Sequence, residues 1–153
     1  MVTAKEFYVL CGLYVVLSFI LDMLISLSAY ISEVSFLDFL MMITSFLQYG
    51  QILCDVAFVI LVCMLFFKKI PSFLQKFIKY HPNLTTYAMY IGWFSFILFF
   101  VDMLVLLGIY FLPVSAFAQE LILILLIMGN IACWLAALFI ATKKVCVSEN
   151  SGI

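Results

Sequence analysis

Four runs of about 25 residues, at positions 7–31, 41–67, 87–112 and 117–142, are almost free of charge. As helices rising ~1.5 Å per residue, each is long enough to cross the ~30 Å hydrocarbon core of a bilayer. In that medium a helix has the advantage of satisfying its backbone N–H and C=O groups internally. Composition agrees: of 153 residues 69 % are apolar and 10 % charged, too little polar surface to enclose a water-soluble core of this size. The first run is too long for a signal peptide and lacks a small-residue cleavage site, so it reads as a retained span. The expected fold class is therefore all-α, a polytopic membrane protein with four transmembrane helices in a single transmembrane domain over residues 1–153.

Lysine placement predicts the orientation. The chain has no arginine; Lys5 precedes the first span, Lys68, Lys69, Lys76 and Lys79 lie between the second and third, and Lys143 and Lys144 follow the fourth. The connections at 32–40 and 113–116 carry no lysine, and Glu33, Asp38 and Glu120 gather on their side. The positive-inside rule then places both termini and the middle loop in the cytosol. The glycosylation sequon Asn83-Leu84-Thr85 points the other way, because it is usable only in a luminal loop. The lysines outweigh it.

Polar residues recur at a fixed spacing. At an offset of 80, Gly12 matches Gly92, Asp22-Met23-Leu24 matches Asp102-Met103-Leu104, and Tyr30 matches Tyr110. At an offset of 79, Gly50-Gln51 matches Gly129-Asn130 and Cys54 matches Cys133. The pattern predicts two tandem helical hairpins, one at about 5–69 and one at about 85–144, followed by a cytosolic tail at 145–153. Units with an even number of spans enter the membrane the same way, so a pseudo-twofold axis along the membrane normal is expected between them.

Depth counting brings the repeated polar groups together. Asp22 and Gln51 each come out about 25 Å above the nearest cytosolic lysine, Asn130 roughly 20 Å above Lys143, and Asp102 roughly 22 Å above the start of the third span. Asp55 falls one turn below Gln51 and has Trp134 as its counterpart. These five form an expected polar layer inside the bilayer. An intramembrane Asp is by default a functional candidate, because its charge costs about 2.5 to 3.5 kcal/mol at the bilayer centre. Protonated and donating to an amide carbonyl, it is instead an interhelical clamp worth ~0.6 kcal/mol on average. Both readings, clamp and ion site, stand at this point.

Small residues mark packing faces. Gly129, Cys133, Ala137 and Ala141 recur at every fourth position of the last span, and Gly50, Cys54 and Ala57 line a face of the second. Such stripes let backbones approach closely, and the two faces are expected to meet at the axis. In the middle loop Ile70, Phe73, Leu74, Phe77 and Ile78 fall at helical spacing opposite Gln75, Lys76 and Lys79. An amphipathic interfacial helix over about 70–80 follows, with Phe73 and Phe77 toward lipid and Lys76 and Lys79 toward anionic headgroups.

Catalytic signatures are absent from the sequence. His81 is the only histidine, and no HExxH, GxSxG, phosphate-binding loop or dinucleotide fingerprint occurs. The five cysteines show neither a CxxC pair nor a zinc spacing, so no metal, cofactor or structural disulfide is expected. Cys146, just past Lys143-Lys144, is a weak palmitoylation candidate. The terminal Ser151-Gly152-Ile153 has the hydroxyl-x-aliphatic form of a weak PDZ-type C-terminal ligand. The layout resembles small tetraspan proteins in architecture alone, without the tetraspanin Cys-Cys-Gly or claudin-type loop motifs.

The expected function is a non-enzymatic, accessory or assembly subunit of a larger membrane complex. Its partners would be the lipid bilayer and either another membrane protein or a second copy, with no role for nucleic acid. The alternative is a small oligomeric transporter or channel that binds a cation or proton at Asp22, Asp55 and Asp102. A third reading is a membrane-shaping protein acting through the helix at 70–80.

Overall fold

The structure, a computed structural model, describes residues 4–35 and 38–150. These form five helices, α1 (Ala4–Ser35), α2 (Asp38–Phe66), α3 (Ser72–Tyr80), α4 (Pro82–Phe111) and α5 (Ala116–Asn150). All but α3 are long and apolar enough to cross a membrane, over Ala4–Glu33, Met41–Phe66, Pro82–Phe111 and Ala116–Ser148. The chain is thus all-helical among the described residues, with the four spans of a multi-pass membrane protein. Spans of 26 to 33 residues extend about 39–50 Å, more than the hydrocarbon core, so they tilt or project beyond it.

Helix ends follow local chemistry. α2 stops at Phe66, and Lys68 takes a left-handed conformation with φ 58°. Its N–H donates to Leu65 O at 2.9 Å, and that of Lys69 to Met64 O at 2.9 Å. This is a Schellman turn, which closes off orphan carbonyls at a helix C-terminus. Pro71 opens α3, and a single residue, His81, separates α3 from α4, where Pro82 occupies the first turn. Proline is well placed there, since its missing N–H is one the helix cannot use. α4 therefore starts five residues before the predicted 87.

The most extensive helix packing is between α1 and α4; α2 lies along α1 and α5 along α4, while α2 and α5 make no sustained contact. At the α1–α4 crossing two glycines remove the side chains that would hold the backbones apart. A Cβ on Gly12 would stand 1.8 Å from the Ala88 carbonyl oxygen, and one on Gly92 would stand 1.9 Å from that of Tyr8. Ala88 and Gly92 form a small-xxx-small pair on α4, the spacing that admits a neighbouring helix.

Burial is concentrated at the α3 end of the bundle. Val9 and Leu10 of α1, Leu65 of α2, Leu74 of α3 and Ala88 of α4 make the core cluster, with Phe7, Phe58, Val62, Ile70, Phe77 and Ile78 packed on it. Leu74 is completely buried. The apolar side of α3 is thus shared: Leu74 enters the protein, Phe77 is half-buried, and Phe73 is half-exposed beside a cleft bounded by Leu10, Leu13 and Leu61. Lys76 and Lys79 are exposed.

The small-residue stripes do not meet one another. Ala137 and Ala141 are fully buried, but Gly50 and Gly129 have nothing within 4 Å of where a Cβ would sit. Cys54 lines the α1–α2 cleft beside Tyr14 and Leu17, and Cys133 is half-buried. The close approach occurs instead at Gly12 and Gly92, where α1 and α4 cross backbone to backbone.

Candidate functional site

The α1–α2 and α4–α5 pairs each have their own polar seam. Between α1 and α2, the Tyr14 hydroxyl donates to Asp55 Oδ1 at 2.7 Å, and its ring stacks on Phe58 at 4.1 Å between centroids and 16° between planes. One turn on, Gln51 Nε2 donates to Ser18 Oγ at 2.7 Å. Toward the far end, the Ser28 and Thr44 hydroxyls lie 2.8 Å apart. Tyr14, Ser18 and Ser28 fall on one face of α1, since steps of four and ten residues keep them within about 80° around the helix axis.

Between α4 and α5, Asn130 Nδ2 donates to Asp102 Oδ2 at 3.1 Å, and the Tyr87 hydroxyl donates to Thr142 Oγ1 at 3.0 Å. The expected Asp102–Asn130 pair is therefore in hydrogen-bond contact. The expected Asp22–Gln51 pair is not, because Gln51 reaches Ser18, one turn below Asp22. The offset has a structural cause: α2 ends at Phe66 in a reverse turn, so helical rise counted from Lys68 overshoots. Asp22 is exposed, and no hydrogen bond or ion pair involves it among the described residues.

A cleft of about 220 Å³ opens beside the Asp102–Asn130 pair, lined by Val15 of α1, Ser95, Leu98 and Phe99 of α4, and Trp134 of α5. The Phe19 ring meets Trp134 edge-on at 5.7 Å and joins α1 to α5 at this level. Two polar atoms here are buried without a partner: Asp102 Oδ1 and Ser95 Oγ. Six other helix hydroxyls behave differently. Those of Ser28, Ser32, Ser45, Thr86, Thr142 and Ser148 return to a backbone carbonyl three or four residues back. A larger, mostly apolar cleft of about 470 Å³ lies on the α2 side of the crossing, lined by Phe7, Cys11, Tyr14, Phe58, Ser95 and Phe96 among others.

The three intramembrane aspartates thus occupy three environments: Asp55 in the α1–α2 seam, Asp102 in the α4–α5 seam, and Asp22 exposed on α1 one turn beyond Phe19. Tyr14, Ser18 and Ser95 belong to these sites although the sequence reading passed over them. Their signal was weak but present, since Tyr14 and Ser18 share a face and Ser95 precedes Asp102 by two turns. No group of three or more His, Cys, Asp or Glu side chains able to hold a metal occurs among the described residues. The terminal Ser151-Gly152-Ile153 lies outside the described residues. No protein family, curated protein or solved structure matches the chain.

Proposed function

We propose that this chain is a non-catalytic accessory or assembly subunit, held in a larger membrane complex through the outer face of α1 around Asp22. Asp22 carries the reading. It lies 11 residues inside the Glu33 end of its span, about 17 Å, which is well within hydrocarbon. Its neighbours Phe19, Met23 and Ser26 are exposed as well. A carboxyl facing lipid at that depth costs about 2.5–3.5 kcal/mol, and such a group is retained where a basic or amide side chain meets it. A partner helix carrying such a residue relieves the cost. Gly50 and Gly129, with open space before them, are further places where a neighbouring backbone can come close.

The internal duplication belongs to the same proposal, and the α1–α4 crossing supports it. Shifting the Gly12–Ala88 contact by 80 residues exchanges it for the contact between Gly92 and Tyr8. Two hairpins around a pseudo-twofold axis near Gly12 and Gly92 account for this exchange. Cytosolic termini follow from the lysines. The Thr85 side chain, buried in the first turns of α4, gives the sequon a poor context and agrees with that orientation.

The separate placement of the three aspartates favours assembly over a shared ion pathway. The deciding measurement is native mass spectrometry of protein extracted gently from its own membrane, comparing wild type with Asp22→Leu. A stoichiometric heteromeric partner that is present in the first and lost in the second is expected. A partner retained by Asp22→Leu, or a chain that runs alone in both, refutes the reading.

A further inference from the structure

We propose that the apolar cleft between α1 and α2, with Phe73 of α3 at one end, holds an acyl chain of one anionic phospholipid whose headgroup lies on Lys76 and the lysines around it. Assembly through Asp22 is a separate matter, since Asp22 takes no part in this cleft.

The cleft measures about 210 Å³ and runs between Leu10, Leu13 and Leu17 of α1 and Cys54, Ala57 and Leu61 of α2. Both sets of residues span two helical turns, which makes it about 10 Å long. Tyr14 and Phe58 complete the lining; their rings stack 4.1 Å apart at 16° between planes. The Tyr14 hydroxyl donates to Asp55 at 2.7 Å, so this wall is held in place and its polar atom is already engaged. Apart from the Cys54 thiol, what remains is a fixed hydrocarbon surface.

Both flanking helices are membrane spans, so the cleft is filled by lipid or by another helix. A helix is about 10–12 Å across with its side chains, too thick for this volume, and Phe73 stands where it would have to leave the bilayer. An acyl chain is a single file of methylenes that ends at headgroup level. Its gain is dispersion contact with walls that would otherwise border a void, because burial from lipid brings no hydrophobic driving force.

Charge selects the headgroup. Leu74 is completely buried and anchors α3, so the residues beside it keep a set position over the cleft. Lys76 follows Phe73 by one turn and shares its flank of the helix. The ends of α1, α2, α3 and α4 that gather here carry Lys5, Lys68, Lys69, Lys76 and Lys79 against the single carboxylate of Glu6. A lysine at a membrane surface attracts anionic lipid, and here the apolar cleft and the positive rim meet at α3.

The test is native mass spectrometry of the full chain in detergent micelles, titrated with phosphatidylglycerol or with phosphatidylcholine carrying the same acyl chains. Phosphatidylglycerol should load a first site, one lipid per chain, at a tenfold or more lower concentration than phosphatidylcholine, roughly as expected for two surface lysines. Lys76→Gln should raise half-loading about fivefold, while Lys144→Gln, an exposed lysine of α5, should leave it unchanged. Ala57→Phe fills the cleft from a position that is itself exposed and should abolish the first site. The two lysine variants decide the matter if Ala57→Phe does not fold. Equal loading of the two lipids, no site that saturates ahead of the rest, equal effects of Lys76→Gln and Lys144→Gln, or a folded Ala57→Phe that loads like wild type would each overturn the proposal.

Discussion

If α1 and α4 touch through their backbones, one methyl group at the crossing should be felt by the whole bundle. In Gly12→Ala the new Cβ would stand 1.8 Å from the Ala88 carbonyl oxygen, 2.6 Å from its carbon and 2.9 Å from its Cα. None of these atoms can turn aside, because all belong to the backbone of α4. Restoring a contact of at least 3.4 Å moves the helices apart locally by about 1.5 Å, which forfeits much of the dispersion attraction along the seam. Overpacking of this kind costs about 1–3 kcal/mol or more. Because only backbone is met, the cost falls at the upper end, ~3 kcal/mol; alanine regains ~1 kcal/mol over glycine in a helix interior, so the net loss should be about 2 kcal/mol. Gly92→Ala meets Tyr8 O at 1.9 Å and Gly12 N at 2.7 Å and should cost a similar amount. The sharper test is the double variant. A single separation of the axes relieves both clashes, so the two losses should fall short of adding by at least ~1 kcal/mol, a coupling typical of contacting residues. Reversible unfolding in bicelles, read for wild type, both singles and the double, gives the cycle. Full additivity, or singles as stable as wild type, would refute the backbone crossing.

Three further substitutions probe the α3 end. Leu74→Ala should destabilise the bundle by about 2–4 kcal/mol, the usual cost of emptying a filled core position, and should speed tryptic cleavage at the exposed Lys76 and Lys79; unchanged protection would mean that α3 is not anchored through Leu74. Thr85→Val replaces a hydroxyl that is buried without a partner by a methyl of the same shape, so thermal unfolding should show a gain of about 1 kcal/mol rather than a loss. Lys68→Gly removes the strain of a left-handed non-glycine residue and should stabilise by roughly 0.5–1 kcal/mol in the same assay. A loss at position 68 would show that the lysine charge outweighs its backbone strain.

The spans and the short helix α3 were legible in the sequence for different reasons. The spans follow from length and apolarity alone. α3 follows from periodicity, because its lysines and its apolar residues fall on opposite sides. Rotation of the long helices was not legible, since Leu, Ile and Phe cover every side of α1, α2, α4 and α5 and mark no face as inner. The two Asp-Met-Leu copies show the limit. Asp102 meets Asn130, whereas Asp22 stays exposed and Gln51 goes to Ser18 one turn below it. The functional packing motif was Gly12 with Ala88-xxx-Gly92, visible as a matched glycine pair but outcompeted by the longer stripes through Gly50 and Gly129. Those stripes carry small residues at the right spacing, yet spacing alone does not say which helix arrives.

The crossing of α1 with α4 also sets the order of events during synthesis. Gly12 and Ala88 are separated by 76 residues of chain, which a ribosome adds in roughly 4–15 s at typical elongation rates. Through that interval α1, later joined by α2, has its backbone groove open and Asp22 unmet, a state in which insertion machinery or a partner helix has its longest access. The bundle closes only when α4 arrives, so a ribosome stalled before position 88 leaves a two-span fragment whose best-packed surface has nothing to pack on.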